Sequence, residues 1–183
     1  MEKEILMNLT KSSILAGCAV LFFVGAALVL QHMTFAQKSG DDGNLKDRIA
    51  IQEQLLYAYA YAYDSKDCVA WANLFAPDAS IDVLVKRNGK DAILQGCITR
   101  QKTVVGDIKT RHYMTNIVFD ELTPSRARTR TYCVVTWQKP GDPTPSTQVA
   151  VVYRDVIVKQ ADGRWLFKER VAIDPQGSPA RVQ

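Results

Sequence analysis

The chain has 183 residues, of which 47% are hydrophobic, 23% charged and 9% aromatic. That length suits one globular domain with a short appendage, and the composition excludes long disorder, a collagen repeat and a multi-span membrane protein. Lys and Arg number 23 against 19 Asp and Glu, a net charge of +4, too small an excess to argue for nucleic acid.

Residues 12–30 carry no charge and are mostly apolar, with Lys11 before them and Thr34-Phe35-Ala36 after. Small side chains at the first and third of those positions give the layout of a secretory signal peptide cut before Gln37. The run also approaches the ~20 residues that span a bilayer as a helix. Residues 1–36 therefore read as a signal peptide or an N-terminal anchor, and the domain is expected to be exported, periplasmic or secreted. A membrane is a partner only if this segment is retained. Residues 37–44 are polar and glycine-bearing, a flexible arm.

Beyond the leader stand Cys68, Cys97 and Cys133. The odd number leaves at least one thiol free or paired between chains. A Cys68–Cys97 bridge is possible in an oxidising compartment, but spacing does not decide it. His112 is the only histidine there. With no zinc-type spacing, Gly-rich phosphate loop or HExxH, the expectation is no metal and no cofactor.

From Leu45 the apolar spacing predicts a helix. It runs into Tyr57-Ala58-Tyr59-Ala60-Tyr61-Ala62-Tyr63, whose alternation also suits a strand. Helix is preferred, because three alanines favour it and no turn residue intervenes. Residues 64–67 break it. A second helix is expected over Cys68–Phe75, with Val69, Trp71, Ala72 and Phe75 inward and Pro77 as the stop. Ala79–Val85 reads as a strand, with a turn centred on Asn88-Gly89 and a short return to Gln95. Cys97–Val105 reads as a third helix. Four long strands follow, His112–Leu122, Arg126–Gln138, Thr147–Lys159 and Arg164–Ile173. Helices first and an antiparallel meander after predict an α+β fold. Arg126, Arg128 and Arg130 share one strand face, read as the solvated face of a half-buried sheet.

Two residues could carry acid–base chemistry. Asp64 ends the first helix, where carbonyl dipoles and nearby aromatic rings are expected to raise its pKa. Its plainer reading is a solvated residue that turns the chain. His112 opens the first long strand. A neutral imidazole can move protons near neutral pH, or it can serve only as a hydrogen-bonded structural group.

Leu55-Leu56-x-x-Tyr59-Ala60-x-x-x-Asp64-x-x-Asp67, Leu74-Phe75-Ala76-Pro77-Asp78-Ala79, Arg111-His112-x-x-Thr115-Asn116 and Asp162-Gly163-x-Trp165-x-Phe167 together resemble the SnoaL-like family of the nuclear transport factor 2-like superfamily. The resemblance implies a cone-shaped curved antiparallel sheet with three N-terminal helices around an apolar pocket, spanning residues 45–175, with a tail over 176–183. Near the site the chain is similar to enzymes of the lindane dehydrochlorinase and bile-acid 7α-dehydratase type. That similarity implies an Asp64–His112 pair acting as base, with Tyr59 and Arg170 stabilising developing charge. Strict alternation puts Arg170 on the face opposite Trp165 and Phe167, so it needs a bulge to turn inward. The expected pocket lining is Tyr63, Trp71, Phe75, Val118 and Phe119. The expected function is a cofactor-independent lyase, dehydratase or isomerase acting on a small, largely apolar molecule. The alternative is an exported, non-catalytic module that binds a small ligand or a protein partner. The resemblance also implies a homo-oligomer.

Overall fold

A computed structural model describes residues 43–174. The expected leader, nearly all of the arm and the C-terminal tail lie outside the described residues. Contacts divide the chain into Met1–Leu45 and Lys46–Gln183, and the second unit carries the fold. Among the described residues no helix is long and apolar enough to cross a membrane.

In this unit residues 46–64 are helical throughout and form α1. A π-helical stretch, Gln52–Tyr57, interrupts its α-turns before Ala58–Asp64. Such a stretch inserts an extra residue and resets the inward face. Leu55, Leu56 and Tyr59 are buried, while Tyr61 is 78% exposed. The alternating tyrosines thus fan around a helix. Lys66, in the left-handed region at φ 64°, turns the chain out of α1. Asp67 then caps α2, Cys68–Ala72, by accepting the Ala70 amide at 2.8 Å.

The expected second helix is longer than the observed one. The Phe167 amide donates to the Leu74 carbonyl at 2.9 Å, so strand pairing captures the chain before Phe75. Phe75 opens β1, Phe75–Asp82, and Pro77 lies inside that strand rather than ending a helix. Val69 is exposed, not inward. β2 is only Arg87–Asn88, paired antiparallel with Ser80 and Ile81. Gly89, at φ 84°, is the N-cap of α3, Lys90–Arg100, which continues as a π-helical turn over Gln101–Val105. The expected return strand to Gln95 is therefore helix. Lys90-Asp91-Ala92-Ile93-Leu94-Gln95 contains no break and has good helix formers.

The four long strands are β3 Lys109–Leu122, β4 Arg126–Gln138, β5 Ser146–Lys159 and β6 Trp165–Ile173. With β1 and β2 they form a six-stranded sheet in the order β2-β1-β6-β5-β4-β3. The sheet is curved and unclosed. All its pairs are antiparallel except β1 with β6, which is parallel. Arg126, Arg128 and Arg130 lie exposed on one face, alternating with buried Ala127, Thr129 and Thr131, and Arg130 forks onto Asp120. The other face packs against the helices. Removal of this apolar surface from water is the main stabilising term. A disulfide between Cys68 and Cys97 ties α2 to α3. Cys133 is free and fully buried in the middle of β4, so the folded domain offers no thiol there to a second chain.

Candidate active site

Asp64, the last residue of α1, meets β3. Its Oδ1 lies 2.7 Å from His112 Nδ1, and its Oδ2 accepts the His112 backbone amide at 2.8 Å. The Thr110 hydroxyl donates to Oδ1 at 2.8 Å. Thr110 and His112 reach one carboxylate because alternate strand residues share a face. The Asp64 and His112 side chains are 11% and 9% exposed. Burial pushes the Asp64 carboxyl up, yet the His112 imidazole and amide and the Thr110 hydroxyl outweigh it and hold the pKa below its ordinary value. The expectation of a raised pKa is corrected by these donors. An ionised Asp64 can only accept, so the proton of neutral His112 sits on Nδ1 and Nε2 is left as a base.

His112 lines a cavity of about 210 Å³. An apolar cavity of ~150 Å³ holds benzene, so this one suits a substituted ring or a comparable aliphatic skeleton. Tyr59, Tyr63 and Trp71 also line it, with Ile93, Val135 and Val151 among the apolar walls. Three expected lining residues do not. Phe75 is fully buried behind the wall, its ring centroid 5.1 Å from that of Trp71 and 5.2 Å from that of Phe167. Val118 and Phe119 lie beyond a bulge in β3, where Asn116 takes φ 51° and the register to β4 slips between Thr115 and Val118. The slip inverts the alternation, so Val118 faces solvent at 44% exposure. Phe119 packs at the edge of the core under Arg48, 4.4 Å from ring centroid to guanidinium.

Tyr59 is the hub of the aromatic wall. Its ring contacts those of Trp71, Phe75, His112, Tyr153 and Phe167, with centroids between 5.3 and 6.3 Å. Burial raises its pKa to about 12 even though Arg170 pulls it down. Burial likewise raises Tyr63, against the pull of Arg100. Both phenols stay protonated near neutrality and are hydrogen-bond donors.

Arg170 does turn inward. The register between β5 and β6 slips so that Val156 faces Glu169 and Ile157 faces Phe167, which leaves Lys168 as the bulged residue. Arg170 nevertheless does not line the cavity. It is fully buried and forks onto Asp155 with two bonds of 2.8 Å. Its guanidinium lies 4.1 Å from the Tyr59 ring centroid, 4.3 Å from that of Tyr153 and 4.1 Å from that of Phe167. The role expected for it, direct stabilisation of a reacting group, is replaced by a place behind the phenols.

Several residues of the site escaped the sequence reading. Thr110 carried a usable signal, its period-two spacing from His112. Arg87 and Arg100 carried none, because the segment from 86 to 105 was expected to hold a turn, a short return and a later helix. Gly96 sits in the interior of α3, where glycine costs about 1 kcal/mol relative to alanine. A Cβ there would collide with the Arg87 guanidinium, Cζ being 2.6 Å away.

No curated protein matches the sequence. Solved structures do match in fold. A Mycobacterium tuberculosis protein described as of unknown function is 22% identical, with 72% of this chain and 73% of that one aligned and a TM-score of 0.63. A protein from Novosphingobium aromaticivorans named as a candidate scytalone dehydratase is 23% identical, covering 78% and 93%, with a TM-score of 0.64. ActVI-ORFA from Streptomyces coelicolor is 18% identical, covering 64% and 90%, with a TM-score of 0.57. At these identities the likeness shows the fold alone, a curved sheet packed against helices. Residues 43–171 match the SnoaL-like domain, and the chain belongs to that family.

Proposed function

We propose that the protein is a cofactor-independent lyase or isomerase of the dehydratase type, acting on a small and largely apolar molecule. The observation that carries this reading is the 2.7 Å contact between Asp64 and an imidazole on the wall of an apolar chamber. Asp64 fixes the tautomer and orientation of His112, and Nε2 removes a proton from a carbon next to an activating group. The protonated Tyr59 and Tyr63 phenols donate to the oxygen on which charge develops or to the leaving group. Loss of that group completes an elimination. Return of the proton to another carbon completes an isomerisation. The apolar walls keep bulk water from competing for the carbanion. Arg170 acts as a positioning residue, holding positive charge behind the Tyr59 ring.

The name of the Novosphingobium structure supports a dehydratase-type reaction for the family's cone. A chamber that only stores a ligand uses the same walls. It gives no role to a carboxylate held by three donors against one imidazole. The Cys68–Cys97 disulfide supports export, since such bonds persist in oxidising compartments.

The test is hydrogen–deuterium exchange and elimination in D2O, read by NMR over a panel of small cyclic ketones and β-hydroxy ketones. The wild-type protein is expected to accelerate one class. His112→Ala is expected to lower that rate by about 100-fold or more. Turnover surviving within a few-fold in His112→Ala removes the imidazole from the mechanism.

A further inference from the structure

The chamber wall is electrostatically one-sided. Arg87, from β2, and Arg100, from the last turn of α3, both line it, and no Asp or Glu does. Neither guanidinium forms an ion pair among the described residues, whereas buried Arg170 pairs with Asp155. Arg87 donates one bond, from an Nη to the Val85 carbonyl at 3.1 Å, and an arginine has five such protons. Arg100 sits beside the Tyr63 hydroxyl, and the Tyr63 ring centroid lies 5.2 Å from that of His112. A line of groups thus runs from the imidazole through Tyr63 to two cations without anionic partners.

The backbone has been shaped around one of these cations. Gly96 interrupts α3 with a residue that weakens helices, and the space a Cβ would fill holds the Arg87 guanidinium. A guanidinium wanted only for solubility has no need of such a slot. Two planar, permanently charged forks beside an apolar cavity suit a planar anion gripped by more than one hydrogen bond.

We propose that the chamber takes a small organic acid, its apolar body among the walls and its carboxylate held by Arg87 and Arg100. This deepens the reading of the chamber as a substrate site and rests on it. The carboxylate fixes which carbon faces His112, so the two arginines set both affinity and the position of proton removal. Asp64 does not repel such a ligand strongly, because three donors already engage its oxygens.

The experiment measures binding rather than turnover, by calorimetry. The ligands are benzoate, trans-cinnamate and 2-naphthoate, each against its neutral amide, with phenyl phosphate as a further probe. The wild-type protein is expected to bind at least one acid about tenfold or more tighter than its amide, the scale of charge-assisted hydrogen bonds. In Arg87→Gln/Arg100→Gln that preference disappears while the amide binds as before. Gly96→Ala keeps both arginines and strengthens the helix, yet displaces Arg87, so it loses part of the preference without loss of folding. His112→Ala keeps the preference, which separates failure of this proposal from failure of the proton-transfer reading. The proposal is overturned if no acid in the panel outbinds its amide, or if the preference survives in the double glutamine variant. Tighter binding of phenyl phosphate than of every carboxylate overturns the assignment to carboxylate.

Discussion

A carboxylate at a helix C-terminus faces a row of carbonyl dipoles, which taken alone favours its protonated form. Asp64 overcomes this with donors that come from β3 rather than from its own helix. Its folded pKa lies below the ordinary carboxylate value, so the native state binds fewer acid protons than the unfolded chain. The stabilisation from Asp64 is fully present above the unfolded value of ~3.9 and is lost as pH falls through the folded one. Asp64→Asn removes the titrating group. The stability gap between wild type and Asp64→Asn, measured by urea denaturation, is therefore expected to narrow as pH falls below about 4. A gap that widens on acidification contradicts this account. Arg170 shows the same balance with the shift reversed in sign, as its charge is positive. Burial works against its charge, but the Asp155 carboxylate holds its pKa above the ordinary value. Such a pair contributes little net stability, although removal of one partner is costly. It is better understood as a fixed charge beneath Tyr59.

Elements whose pattern is local are legible in the sequence. β4 begins and ends at Arg126 and Gln138 as expected, because turn residues bound it and one of its faces is buried. The strand expected from Ala79 overlaps β1, but the start of β1 at Phe75 was not legible, because it is set by pairing with β6, a partner some ninety residues away in sequence. The same holds for the segment after Gly89. Asn88-Gly89 resembles a hairpin turn, but Gly89 instead opens α3, a choice made by what α3 packs against. That packing is locked by Cys68–Cys97, which joins two helical elements across 29 residues. Closing a loop of that length in the unfolded chain is worth roughly 3–4 kcal/mol in the chain-entropy description. Cys68→Ala/Cys97→Ala is expected to lose about that much stability in denaturant titrations while keeping its far-UV spectrum. A loss below about 1 kcal/mol would mean that α2 and α3 hold together without the covalent tie.

At the scale of the whole molecule, Asp64, His112, Tyr59, Tyr63 and Trp71 were legible as residues that could share a site, and the structure lines one chamber with the last four and sets Asp64 against His112. Their meeting could not be read from spacing, since 48 residues separate Asp64 from His112. Two bulges decided the remainder. The one at Asn116 sent Val118 to solvent, and the one at Lys168 turned Arg170 inward. A bulge is a one-residue slip with little compositional signature. The sheet that carries these irregularities has Cys133 near its centre, paired in register with Met114 on one side and Val151 on the other. Its thiol is fully buried, and burial pushes its pKa to about 11, with Tyr153 and Arg170 opposing and Asp64 adding to the rise. The thiolate is the reactive form, so the folded protein should resist Ellman's reagent at pH 8. No edge or loop opening uncovers this position, and labelling must await separation of β3 or β5 from β4. Its rate should therefore rise with denaturant along the global unfolding transition followed by tryptophan fluorescence. Rapid labelling in native buffer would show instead that the sheet opens locally at its centre.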